Sequence, residues 1–170
     1  LIQKGKAYVC DLTAQQTGEW IIEGYKDHGP DCSEPSRTAF RTWLGKTYAS
    51  DQQFQESWGN STLQRDQAEI PLDTEKRFSW RNPPAKQDLE EAFYQLPQEQ
   101  NWVDYSKFAS DTNADCIRQL ARQVKVSSHE AKKVIVFYGY EFELSGSISG
   151  HLAVRSLLDD PDIDFIAAPI

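Results

Sequence analysis

The sequence predicts an α/β domain built on parallel strands, and three observations carry that prediction. Residues 134–140 (VIVFYGY) and 163–168 (IDFIAA) are nearly continuous β-branched and aromatic runs, the pattern of strands covered on both faces. Between them, a Gly- and Ser-rich loop and a helical stretch near 151–158 supply the crossover that joins two parallel strands. Upstream of both, apolar residues recur at helical spacing. The pattern fits a barrel wall and an open α/β sheet equally well.

Taken in order, the first element is a strand at 7–12 (AYVCDL), rich in β-favouring residues. A loop through Glu19 and Trp20 follows and ends near Ser33. Ser33-Glu34-Pro35 reads as a helix start, with a capping hydroxyl, an acidic first turn and a proline where no N–H is needed. Phe40, Trp43, Leu44 and Thr47 give that helix its inward stripe, and Phe54 and Trp58 give the same to a shorter helix. Residues 59–100 are polar and broken by Pro71, Pro83, Pro84 and Pro97, so they read as a long insert with little regular structure. A long helix begins at Trp102. Ile117, Leu120, Ala121 and Val124 form its expected inward stripe, and Lys125 suits the negative end of its dipole.

Composition limits the partners. The chain has 170 residues and a formal net charge of −8, which disfavours a nucleic-acid partner because phosphate binding needs clustered Lys and Arg. No apolar run reaches the roughly 20 residues of a membrane helix. The cysteines Cys10, Cys32 and Cys116 are widely spaced, and the histidines His28, His129 and His151 lack ligand spacing, so no metal site is expected. The compartment and the oligomeric state are not specified by these residues. The chain contains no Met, so it reads as an internal piece of a longer protein.

Five residues are candidates for a site. Glu19 lies just past the first strand, and in parallel α/β folds reactive groups gather at the C-terminal ends of strands. Desolvation beside the Trp20 indole favours the protonated carboxyl that a general acid needs, although most lone Glu residues are solvated loop acids. Trp20 is a candidate sugar platform. Tyr138 and Tyr140 share one face at the end of the second strand, suited either to stacking on a sugar or to core packing with satisfied hydroxyls. His151 either binds a sugar hydroxyl or only ends its loop.

Four stretches in order resemble the barrel domain of family 42 glycoside hydrolases. They are TGEW at 17–20 with DCS at 31–33, the run AFRTWLGKTYASDQQFQESWG at 39–59, LPQEQNWVDYSKFASDTNADCI at 96–117, and VFYGYEFEL with GHLAVRSLLDDPDIDFIAAPI at 136–170. The resemblance implies a partial (β/α)8 TIM barrel covering about the fourth to sixth βα units, as one incomplete domain over residues 1–170. It implies a retaining β-galactosidase-like enzyme with a carbohydrate substrate and no cofactor. Glu19 takes the acid/base position at the end of the fourth strand, and the nucleophile lies outside this chain. Trp20, Tyr138, Tyr140 and His151 then line the sugar subsites. Many relatives carry Asn directly before the acid/base, where this chain has Gly18. A non-catalytic carbohydrate-binding barrel is the alternative. A run at 1–16 also looks like glutaminyl-tRNA synthetases, but it is short and brings no nucleotide-binding motif.

Overall fold

The computed structural model describes residues 31–71, 94–139 and 150–167. Helix α1 spans Glu34–Thr47 and α2 spans Asp51–Trp58, followed by a 3-10 turn at Arg65–Gln67. The long helix α3 covers Gln100–Ser128. Strand β1 (Ile135–Phe137), helix α4 (Val154–Leu158) and strand β2 (Phe165–Ala167) complete the order. The strand predicted at 7–12 lies outside the described residues.

Helix boundaries follow from local chemistry. Pro35 sits in the first turn of α1, as its missing N–H allows, but Ser33 makes no side-chain cap. The Ser33 N–H instead donates to Asp31 Oδ1 at 2.9 Å. At α2 the cap forms: Ser50 Oγ accepts from the Gln53 N–H at 3.2 Å, and Gln53 Oε1 accepts from the Ala49 N–H at 2.8 Å. Gly59 ends α2 at φ +61, and a Cβ there would come within 2.9 Å of Pro97 Cγ. Helix α3 stops at His129 and Glu130, both at positive φ.

Two clusters of buried residues meet along α3. The first joins Phe40, Leu44 and Tyr48 to Phe54, Ala68, Ile70, Tyr105 and Phe108, with Trp43 and Trp58 at its edge. Phe40 and Phe54 are fully buried, and each contributes about 2 to 3 kcal/mol. That outweighs the partly exposed pairing of Arg37 and Arg41 with Glu69, worth about 0 to 1 kcal/mol each. Residues 60–71 hold little regular structure beyond the 3-10 turn, yet Ala68 and Ile70 belong to this core and the segment packs against α1. The second cluster joins Ala114 to Tyr138 and Leu157, with Val136, Ile163 and Ile166 against it.

The strands pair parallel, Ile135 with Phe165 and Phe137 with Ala167, with α4 between them in sequence. The expected βαβ order is present, in otherwise mostly helical described residues. Two expectations need correction. The strands are not covered on both faces: Ile135, Phe137 and Phe165 are 60%, 68% and 58% exposed, while Val136 and Tyr138 turn inward against α3 and α4. Along α3, Leu120 and Val124 are also exposed, and the inward line runs through Ala114, Ile117, Ala121 and Lys125. A polar residue, Lys125, takes a position that hydrophobicity alone assigns to its neighbours. Its ammonium is paired with Asp164 at 2.6 Å.

Candidate functional site

The C-terminal end of β1 carries the candidate residues that are described. Tyr138 extends the parallel pairing, its N–H donating to the Ala167 carbonyl at 3.0 Å. Strand alternation turns its ring inward beside Ala114 and Leu157, where only 1% of the residue is exposed. The Tyr138 hydroxyl donates to the Gly150 carbonyl at 2.8 Å and accepts from the Ala153 N–H at 3.1 Å. Of the two roles open to this residue in the sequence, these are the features of core packing with a satisfied hydroxyl.

The same turn is held from α3. Asn113 Nδ2 donates to the Gly150 carbonyl at 3.0 Å, and Ser110 Oγ accepts from the Leu152 N–H at 3.2 Å. Gly150 adopts φ +79, and a Cβ there would meet Asn113 Nδ2 at 3.3 Å and the Ala109 carbonyl at 3.5 Å. The positive φ is what calls for glycine, and a side chain there would also press on the Asn113 amide.

His151 follows directly and is half-buried. Its Nδ1 accepts from the Gly139 N–H at 3.2 Å, and its ring lies 4.8 Å from that of Tyr138. An imidazole nitrogen that accepts carries no proton, so the neutral ring has its N–H at Nε2. His151 is thus a hydrogen-bond donor of defined tautomer beside the last residues of a parallel strand. The structure brings Tyr138 and His151 together. Glu19, Trp20 and Tyr140 lie outside the described residues.

Charge is concentrated elsewhere. At the N-terminal ends of the strands, Asp164 accepts from Lys125 at 2.6 Å, from Lys133 at 2.7 Å and from the Val134 N–H at 2.9 Å. These bonds, led by that of Lys125, hold its carboxyl well below the usual carboxylate range. Asp160 pairs with Arg118 at 2.7 Å and Asp162 with Arg122 at 3.2 Å. Burial pushes the Asp160 carboxyl up, but the Arg118 hydrogen bond, the Asp162 amide and the Arg118 charge together bring it below its ordinary value.

Within the helical core, Asp104 accepts from Tyr48 Oη at 2.6 Å, Trp58 Nε1 at 2.8 Å and Gln100 Nε2 at 2.9 Å. Burial, then the hydrogen bond to Asp104, pushes the Tyr48 hydroxyl up to about 12. This carboxylate joins three helices and is only 1% exposed, so it is placed for cohesion and not for contact with a ligand. Among the described residues no group of three or more His, Cys, Asp or Glu side chains could hold a metal ion. No helix among them is long and apolar enough to cross a membrane.

Sequence reasoning missed Ser110 and Asn113. Their signal is faint: polar residues at 106, 110 and 113 interrupt an inward helical face, as happens where a helix receives a turn.

The family model described as β-galactosidase, glycoside hydrolase family 42, matches residues 19–146, three quarters of the chain. Glu19, Trp20, Tyr138 and Tyr140 fall inside the matched span, and His151 lies just past it. No curated protein and no solved structure matches the chain. With the match covering well over half of its length, the chain belongs to glycoside hydrolase family 42, the β-galactosidase family.

Proposed function

We propose that this chain contributes the acid/base half of a retaining β-galactosidase active site. The observation that carries the reading is the family match, which takes in Glu19 and the strand end at Tyr138 in one span. In this reading the chain forms about the fourth to sixth βα units of a (β/α)8 barrel. The parallel β1–β2 pair, covered by α3 and α4 on one face and bare on the other, supports it. In such a barrel one strand face meets the outer helices and the other the barrel interior.

Glu19 stands at the end of the fourth strand. It protonates the leaving oxygen while a carboxylate elsewhere in the barrel attacks the anomeric carbon, and then deprotonates the water that releases the sugar. For retention the two carboxyl groups stand roughly 5–5.5 Å apart. Trp20 and Tyr140 offer apolar rings to the sugar faces. His151 donates from Nε2 to a sugar hydroxyl, as its tautomer suits it to do. No cofactor takes part in these steps.

The test is Glu19→Gln in the full-length protein, assayed on substrates of graded leaving group. An acid/base role predicts a large loss of rate, of about a hundredfold or more, on alkyl β-galactosides. The loss on 4-nitrophenyl β-galactoside, whose leaving group needs little protonation, is much smaller in the first step. Equal activity of variant and parent on both substrates removes Glu19 from the mechanism. Binding of galactosides without any turnover by the parent protein favours the carbohydrate-binding alternative.

A further inference from the structure

We infer that Asn113 and Tyr138 are positioning residues for sugar recognition, acting together through the Gly150 carbonyl to set the place and tautomer of His151; this rests on the reading that His151 contacts the substrate. Both donors meet one acceptor, Asn113 Nδ2 at 3.0 Å and Tyr138 Oη at 2.8 Å. A carbonyl oxygen has two lone pairs, and here both are used. Tyr138 closes the turn again by accepting from the Ala153 N–H at 3.1 Å, so residues 150–153 are held on both sides of His151. Gly150 holds a positive φ, and Asn113 and the Ala109 carbonyl stand where a Cβ would be in contact, so the turn lies close against α3.

Among the described residues, two contacts hold the ring itself. The Gly139 N–H donates to Nδ1 at 3.2 Å, and the Tyr138 ring lies against the imidazole at 4.8 Å between centroids. The Gly139 amide selects the neutral tautomer with the proton on Nε2. A donor held in place before substrate arrives loses less freedom on binding, which appears in affinity. Tyr138 and Asn113 therefore act on the sugar without touching it. The arrangement also accounts for a tyrosine at an inward position where an aliphatic side chain would fill the space: the hydroxyl has work that packing alone does not require.

The experiment is a set of variants in the full-length protein, Tyr138→Phe, Asn113→Ala, His151→Ala and the doubles Y138F/H151A and N113A/H151A, assayed with 4-nitrophenyl β-galactoside. His151→Ala raises KM. Tyr138→Phe and Asn113→Ala each raise KM about two- to tenfold with kcat little changed, the range expected for one hydrogen bond felt through binding. Neither adds to the effect of His151→Ala in the doubles, because their influence passes through that ring. A role confined to folding lowers the melting temperature and the active fraction, hence kcat, and leaves KM unmoved. Unchanged KM in both single variants while His151→Ala raises it, or full additivity in the doubles, overturns the proposal and leaves His151 in the site. Unchanged KM in His151→Ala removes His151 from the sugar site and the proposal with it.

Discussion

Asp104 is 1% exposed, yet it is tolerated because three donors meet it, from the residue that ends α1, from α2 and from its own helix α3. Buried charge persists only where such bonds replace water. Asp104→Ala leaves the Tyr48 hydroxyl, the Trp58 indole N–H and the Gln100 amide facing one another without an acceptor. We expect it to cost about 3 kcal/mol or more, read from the urea midpoint. Asp104→Asn keeps one acceptor oxygen and costs about 1 to 2 kcal/mol; parental stability in the Ala variant would show that the cluster contributes nothing. Tyr48 adds a signature in base. Its hydroxyl is raised to about 12 in the folded protein, so its contribution is complete below about pH 10 and disappears as pH climbs through 12. Residues of this kind were the hardest to read from sequence. Phe40 and Phe54 announce themselves by spacing, and both are core. Asp104 and Asn113 look like any helical polar residue until partners distant in sequence arrive. Glu19 and Trp20 lie outside the described residues, so their place remains one inferred from the family.

At the scale of elements, α3 organises what surrounds it. Its first half belongs to the helical core. Its middle receives the 150–153 turn at Ser110 and Asn113, and its last turns meet the lead-in to β2 in three ion pairs. Arg118, Arg122 and Lys125 recur every three or four residues on the helix, while Asp160, Asp162 and Asp164 stand at every second residue through the turn that leads into β2. The two periods come into step only when these elements lie side by side. The helix itself was legible from its apolar spacing. The choice of face was not, because burial of Lys125 depends on Asp164, and no hydrophobic count anticipates that. The rungs are unequal. Arg122 is 62% exposed, so Arg122→Ala should cost less than about 1 kcal/mol. Asp164→Asn should lower the urea midpoint more, because it weakens the partner of the buried Lys125 ammonium. The pH dependence has a definite sign. Asp160 and Asp164 are depressed on folding, so their contribution is present above the unfolded carboxylate value near 4 and is lost as pH falls through their folded values. Asp164→Asn should flatten the decline below about pH 4. An unchanged acid profile would mean that the Asp164 bonds do not persist in solution.

For the molecule as a whole, the face formed by Ile135, Phe137 and Phe165 matters most. More than half of each residue is exposed, although each is large and apolar. Runs of β-branched and aromatic residues predicted strands correctly and their cover incorrectly, since sequence shows what wants burial and not what is present to bury it. Among the described residues the sheet has only two strands, and apolar sheet surface of this kind promotes association. The isolated 170-residue chain should self-associate as its concentration rises, seen as a growing mass in light scattering, despite a net charge of −8. Phe137→Lys should shift that equilibrium toward monomer. A parent chain that stays monomeric at high concentration and melts in one sharp transition would contradict this expectation.

The opposite ends of β1 and β2 differ in what holds them. Ion pairs anchor the entry to the strands, while glycines, backbone amides and the His151 ring stand at the exit of β1. Such a separation makes the domain evolvable. In the proposed reading the sugar meets the exit, so substitutions there that spare Gly150 leave the ion pairs at the entry in place. Under that reading, directed libraries for altered sugar preference are best placed at the exit, with Asp160, Asp162 and Asp164 left untouched.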